Sequence, residues 1–237
     1  SSSPVVVDNA VVVQVENEVN SMAMGIDKRT GAELWHVDRP KRMNWSSPGV
    51  LRGAEHSLVL LQNGEYLSAH HPQTGEQAWR YEKGCSTIVS PVAVGDNVFV
   101  RSGSGTVKLL RKGTTPELEV AWDQPKLSSE SASPVLHEGR IYTVNRAGVA
   151  TCAREDTGAV VWQLRLKGPF WASPVLVGGK LYCFNHEGVC QVVELGEDAG
   201  KVVAQNELGD KVLGSPAVAD DAMYVRSEGA VWKIAQP

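Results

Sequence analysis

An all-β fold, a β-propeller built from four-stranded antiparallel blades, is what this sequence predicts, on two periodicities and one absence. Six Ser-Pro pairs each open a short apolar run: Ser3-Pro4, Ser47-Pro48, Ser90-Pro91, Ser133-Pro134, Ser173-Pro174 and Ser215-Pro216, at spacings of 44, 43, 43, 40 and 42 residues. A second mark keeps the same step: Thr30-Gly31 ahead of Trp35, Thr74-Gly75 ahead of Trp79 and Thr157-Gly158 ahead of Trp162, with Trp122 in the intervening copy. No stretch carries a 3.6-residue apolar period, so helices are not expected. Self-similarity near forty residues means one unit is copied, and four short strands per unit describe a propeller blade.

The fourth copy shows the elements in order. Ser133-Pro134-Val135-Leu136 is a short apolar strand, and His137-Glu138-Gly139 a turn. Arg140 to Val144 alternates and is rich in β-branched and aromatic residues, as a half-buried strand should be. Asn145 to Gly148 is a turn, Val149 to Ala153 a third strand, Asp156-Thr157-Gly158 a turn, and Val160 to Leu164 the fourth strand. Proline is tolerated at a strand's first residue, where its missing N–H costs no ladder bond. Innermost strands crowd the axis, which suits the small serines. Outer strands have room for bulk, and there Trp35, Trp79, Trp122 and Trp162 fall, placed to dock between blades.

The repeats run over about residues 3–46, 47–89, 90–132, 133–172, 173–214 and 215–237, the last incomplete, within a single propeller domain over 1–237. The sixth copy stops after its third strand, Ala230 to Ile234, and only Ser1-Ser2 precede the first inner strand. The expectation is therefore part of a larger ring of about eight blades, with six blades as the alternative. The chain has no initiator Met and begins inside a repeat, so either a leader was removed or this is one piece of a longer protein.

Composition excludes some classes. Net charge is −4 with no Lys/Arg block, so nucleic acid is not an expected partner. No apolar run approaches the ~18 residues of a membrane span.

The pattern Ala-x-Asp-x-x-Thr-Gly-x-x-x-Trp is met best by Gly25-Ile26-Asp27 with Thr30-Gly31 and Trp35, by Ala69-His70-His71 with Thr74-Gly75 and Trp79, and by Cys152-Ala153-Arg154 with Thr157-Gly158 and Trp162. It resembles the tryptophan-docking motif of the pyrroloquinoline-quinone-like (PQQ-like) repeat proteins. Each match departs at the Ala or Asp position. The third copy keeps only Trp122, and the fifth has Ala199-Gly200 followed by Ala204 where Trp would stand. The family includes quinone-dependent dehydrogenases and a cofactor-free branch, among them the propeller lipoprotein of the outer-membrane barrel-assembly machinery and related exported bacterial proteins. The resemblance implies a periplasmic or exported location.

The dehydrogenases of that family, by resemblance, hold their quinone under two adjacent cysteines with calcium and an aspartate base. Here Cys85, Cys152, Cys183 and Cys190 are never adjacent. Glu16-Asn17-Glu18 is an acidic hairpin tip without calcium-loop spacing and reads as a solvated turn. His70 and His71 point to opposite faces of a strand and cannot chelate together. No catalytic constellation, cofactor site or metal site is expected. Cys183 and Cys190 flank the turn Asn185 to Gly188; a type I turn with a bulge sets Cys183 against Gln191, so buried thiols are expected rather than a disulfide.

The rim remains. Outer-to-inner connections and second-to-third-strand turns should emerge on one face. Two residues before a Ser-Pro serine stand Trp45 and Trp171, preceded by Asn44 and Phe170, and the same face should carry Arg101, Arg146, His186 and Arg226. Aromatic and Arg groups on one concavity are what recognition surfaces are made of; the alternative is that both tryptophans plug the funnel. The expected function is a non-catalytic scaffold binding a protein or peptide, acidic or carboxylate-bearing, through this face. The alternatives are a fragment of a quinoprotein dehydrogenase and the sensor ectodomain of a membrane kinase.

Overall fold

The computed structural model describes residues 2–53, 57–111 and 118–235; Ser1 and the end of the sixth repeat, Gln236-Pro237, lie outside the described residues. The fold is all-β and of the β-propeller class, with 23 strands in six sheets and no helix among the described residues. The chain divides into two compact units, Ser1–Pro125 and Lys126–Pro237, each holding three sheets.

In the first unit the sheets are β1 (Val5–Val7), β2 (Ala10–Val15), β3 (Met22–Asp27) and β4 (Glu33–Asp38); β5 (Gly49–Arg52), β6 (Ser57–Gln62), β7 (Leu67–His70) and β8 (Gln77–Tyr81); and β9 (Val92–Val94), β10 (Asn97–Ser102), β11 (Gly105–Arg111) and β12 (Leu118–Gln124). The second unit has β13 (Val135–His137), β14 (Arg140–Val144), β15 (Val149–Arg154) and β16 (Val160–Arg165); β17 (Val175–Val177), β18 (Lys180–Phe184), β19 (Val189–Leu195) and β20 (Gly200–Glu207); and β21 (Ala217–Ala219), β22 (Ala222–Arg226) and β23 (Val231–Ala235). Every pairing within a sheet is antiparallel between sequence neighbours, and the last sheet has three strands.

Each Ser-Pro pair leads into the first strand of its sheet. In the first unit β1 touches β5 and β5 touches β9, so these first strands are the innermost. The serines do more than save space. The Ser3 amide donates to Ser47 Oγ at 2.9 Å and the Ser47 amide to Ser90 Oγ at 2.9 Å. In the second unit the Ser133 amide donates to Ser173 Oγ at 2.8 Å, and the Ser173 amide to Ser215 Oγ at 2.9 Å. Each hydroxyl thus satisfies the main chain of the repeat before it, an acceptor role that alanine could not fill.

Between third and fourth strands every four-stranded sheet carries a bulge, after Gly25, Ala69, Lys108, Cys152 and Val192. The residue before each bulge pairs with Trp35, Trp79, Trp122, Trp162 and, in the fifth sheet, Ala204. Trp35 Nε1 donates to the Pro72 carbonyl of the next sheet at 2.8 Å, and its ring leaves no room for a Cβ on Gly75. Trp162 Nε1 reaches Gly196 O at 3.3 Å, and its ring covers Gly200. Trp79 is 3% exposed, and its Nε1 has no partner among the described residues. Residues 112–117 lie outside the described residues. Trp122 is half-buried with its ring 5.7 Å from Phe99.

Cys183 pairs with Gln191 across the hairpin, so the bulged turn sets the register, and all four cysteines are free and buried. Burial pushes the thiols of Cys85 and Cys190 up to about 12 and raises those of Cys152 and Cys183 as well.

Candidate functional site

In both units the strand-to-strand hairpin tips and the connections between sheets interlock on one side. In the first unit Trp45 and Ser46 donate backbone N–H bonds to Thr87 O, Ser86 donates to Arg101 O at 2.7 Å, and Cys85 donates to Asn63 O at 3.0 Å. In the second, Phe170 donates to Arg146 O, His186 to Pro169 O, Val212 to His186 O, and Glu228 to Lys211 O. The Thr-Gly turns bond elsewhere: Lys28 donates to Asn9 O and Glu155 to Gly139 O, both on the first-hairpin side. Each unit therefore has one face made of connections plus second-to-third-strand turns, with the Thr-Gly turns opposite.

Along each connection the side chains alternate, and the alternation separates the two members of each candidate pair. Trp45 is 43% exposed while Asn44 is buried, its Nδ2 donating to Gln62 O at 2.9 Å. Trp171 is 40% exposed while Phe170 is buried in the core with Leu166 and Cys183. Successive extended residues point to opposite sides, so one member of each pair must turn inward. Asn44 and Phe170 thus lie beneath the face rather than on it.

The basic candidates divide as well. The Arg146 guanidinium lies 5.3 Å from the Trp171 ring and is exposed, an amphipathic plate of cation on indole. Arg101 turns back on its own hairpin and donates to Gly103 O and Gly105 O. His186 is part-buried and fixed by its main chain between Pro169 and Val212, while Arg226 is exposed at the end of β22. The structure brings Arg146, Trp171 and the His186 backbone together in the second unit, and Trp45 and Arg101 onto the corresponding face of the first.

Beneath the first unit's face lies a buried polar layer that strand patterns alone do not disclose. Glu16 is 6% exposed and accepts from Arg39 Nε at 2.6 Å, with both side chains fully enclosed. This corrects the reading of the 16–18 tip as a solvated turn: Glu16 leaves it and turns inward. Arg39 Nη1 donates to Tyr66 Oη and Ser68 Oγ, and Gln14 Nε2 donates to Glu16 Oε1 and to Gln62 O. Tyr66 is covered by two guanidinium groups, Arg80 at 3.7 Å and Arg39 at 4.8 Å. The sequence signal was the alternation Gln14-x-Glu16 at the end of an otherwise apolar strand, which puts both side chains on one face. No group of three or more metal-ligating side chains occurs among the described residues, and no helix there is long and apolar enough to cross a membrane.

A family profile described as outer membrane protein assembly factor BamB, a PQQ-repeat family, matches residues 1–163 and 119–194. The chain belongs to this family. BamB from Moraxella catarrhalis superposes with a TM-score of 0.71 at 19% identity, over 96% of this chain and 67% of that one. The computationally designed protein Ika8 gives 0.71 at 13% identity, over 98% and 70%. A chain of the mitotic checkpoint complex gives 0.74 at 9%, over 96% and 72%. At these identities the superpositions establish the propeller fold alone. Among curated proteins, none matches this chain in sequence.

Proposed function

We propose that this BamB-family chain is a non-catalytic, exported propeller scaffold that binds a protein or peptide partner through the connection-and-hairpin face of its units. The observation that carries the reading is the exposed Trp171–Arg146 pair, set on a face whose backbone is held by hydrogen bonds from neighbouring sheets. Half-exposed indoles beside arginine are typical interface anchors, because an aromatic plate gains contact area at small entropic cost and Arg offers a two-pronged donor. Trp45 stands at the matching position of the first unit. The partner segment that suits Arg146 is acidic or ends in a carboxylate. The family's description, an assembly factor of the outer membrane, supports an exported location beside that membrane.

The test is site-specific photocrosslinking in the bacterial envelope, with the photoreactive residue placed at 45 or 171 and, as control, at Thr30 on the opposite side. Discrete adducts are expected from 45 or 171 and not from 30, and Arg146→Glu should remove those formed at 171. Equal adducts from position 30, or none from the two indole positions, would overturn the reading.

A further inference from the structure

Two further cations stand beside the Arg146–Trp171 plate. Arg165, at the end of β16, donates from Nη1 to Ala147 O at 2.7 Å, on the same hairpin tip that carries Arg146. Lys167 opens the connection that leads to Trp171, and its main chain is held from beneath. Gln191 Oε1 accepts from the Lys167 N–H at 2.9 Å, Gln191 Nε2 donates to Lys167 O at 2.9 Å, and Asn185 Nδ2 adds a second donor to that carbonyl at 3.1 Å. Gln191 is 3% exposed, so one buried amide fixes both polar groups of Lys167 while the lysine itself is exposed.

Arg165 and Lys167 flank the buried Leu166, whose N–H is bonded to Gly148 O. Both are exposed, and in an extended segment residues two apart share a side, about 6.6 Å from one another. Among the described residues none of Arg146, Arg165 and Lys167 forms an ion pair. Glu130 accepts from the main-chain N–H of Arg146 at 2.9 Å and pairs with no guanidinium. Positive charge beside the indole therefore stands without a counter-charge.

We infer that the segment bound at this face is extended and acidic, with carboxylates at alternate positions, and is not a chain end with a single carboxylate. An extended chain repeats its side chains on one side every second residue, the same step that separates Arg165 from Lys167. One carboxylate lies against each of the two, and a neighbouring apolar side chain covers Trp171 beside Arg146. A single terminal carboxylate would meet one cation and leave the others uncompensated. The chain's net charge of −4 argues against nucleic acid as the polyanion. The inference rests on the partner-binding reading of this face and narrows its chemistry.

The probe is an acetylated, amidated pentapeptide with glutamates at its first and third positions and leucine at its fifth, titrated into the 237-residue chain by chemical-shift NMR. Saturable binding is expected, weakened at least about fivefold by Arg165→Glu and by Lys167→Glu, and lost as ionic strength rises towards ~1 M. Both side chains are exposed, so neither reversal disturbs the core, and each variant checks the other should one fail to fold. An acetylated tripeptide ending in leucine, with its terminal carboxylate as the only charge, should bind more weakly. No saturable pentapeptide binding, equal binding of the tripeptide or of octathymidylate, or wild-type affinity in both reversals would overturn the inference. The photocrosslink at 171 separates its failure from that of the broader reading. An adduct that survives both reversals keeps the partner face and removes the acidic segment, whereas no adduct in the wild type removes both.

Discussion

His70 is enclosed, with Nδ1 donating to Gly75 O at 2.8 Å and Nε2 accepting from Ser68 Oγ at 2.9 Å. That arrangement holds the neutral ring, and burial lowers its pKa below the ordinary 6.5. The unfolded chain therefore binds a proton more readily, and the stabilisation, complete above the unfolded value, is lost as pH falls from about 6.5 towards the lower folded pKa. The exposed His36 shifts the other way beside Glu33, but solvent screens it. Urea midpoints measured from pH 7.5 to 5 should decline in the wild type and decline less in His70→Gln; identical slopes would show that His70 does not set this dependence. The Glu16–Arg39 pair calls for a different experiment. Arg39→Met leaves a buried carboxylate uncompensated and should cost ~3–5 kcal/mol, whereas Glu16→Gln combined with Arg39→Met should recover much of the loss. A double variant no better than the single would mean that the cost comes from lost packing.

At the scale of strands and turns, the Trp35 and Trp162 indoles each reach a carbonyl of the next sheet. Truncating Trp35 or Trp162 to Ala should destabilise by ~3–5 kcal/mol in denaturant unfolding, and losses below ~1 kcal/mol at both would show that they do not couple their sheets. Gly75→Ala attacks the same contact from the other side. Gly75 has φ +71°, and a Cβ there would lie 2.6 Å from Trp35 Cδ2, so strain and collision combine. The strands themselves were legible in the sequence: Arg140–Val144 is a strand as read, and the Asn185 turn sets Cys183 against Gln191. Those features depend on local chemistry, on alternation and on turn residues. The serine contacts were not legible, because each joins residues of different repeats, and the Gln14-x-Glu16 alternation marked a polar face without naming Arg39 as its partner, since single-strand patterns carry no record of the partner.

Over the whole molecule, the cysteines give a reporter for each unit. Cys85 lies in the first and Cys152, Cys183 and Cys190 in the second, all buried. With thiol pKa values raised by burial, none should react with an aromatic disulfide reagent in the native state, and all four should in denaturant. If Cys85 becomes reactive at a different urea concentration from the other three, the units unfold separately; one common midpoint would show that they unfold together. The candidate surface was legible only in part for the same reason that the units are. Repeat spacing locates Trp45 and Trp171 on connections, but which neighbour of each pair turns inward depends on the backbone path. The edge of β23 is the other large-scale feature: Val231 is 72% exposed, and among the described residues only β22 pairs with that strand. The 237-residue polypeptide should associate with increasing concentration in light scattering, and Val231→Lys should suppress this. A wild type that stays monomeric at high concentration would show that the edge is already protected.

The serine contacts have a consequence for how such a chain can be rearranged. They hold to 2.8–2.9 Å although the serines they join are 44, 43, 40 and 42 residues apart. Within each unit, differences in repeat length are therefore absorbed away from the first strands, and the serine contacts keep one geometry whatever the outer strands do. A transplant that starts and stops at Ser-Pro moves both the amide and the hydroxyl of the clasp intact. Cutting instead within the outer strands would divide the bulge and its indole. Ser-Pro is thus the natural seam of this chain, the place where a repeat could be exchanged for one of another length without redrawing the first strands of its unit.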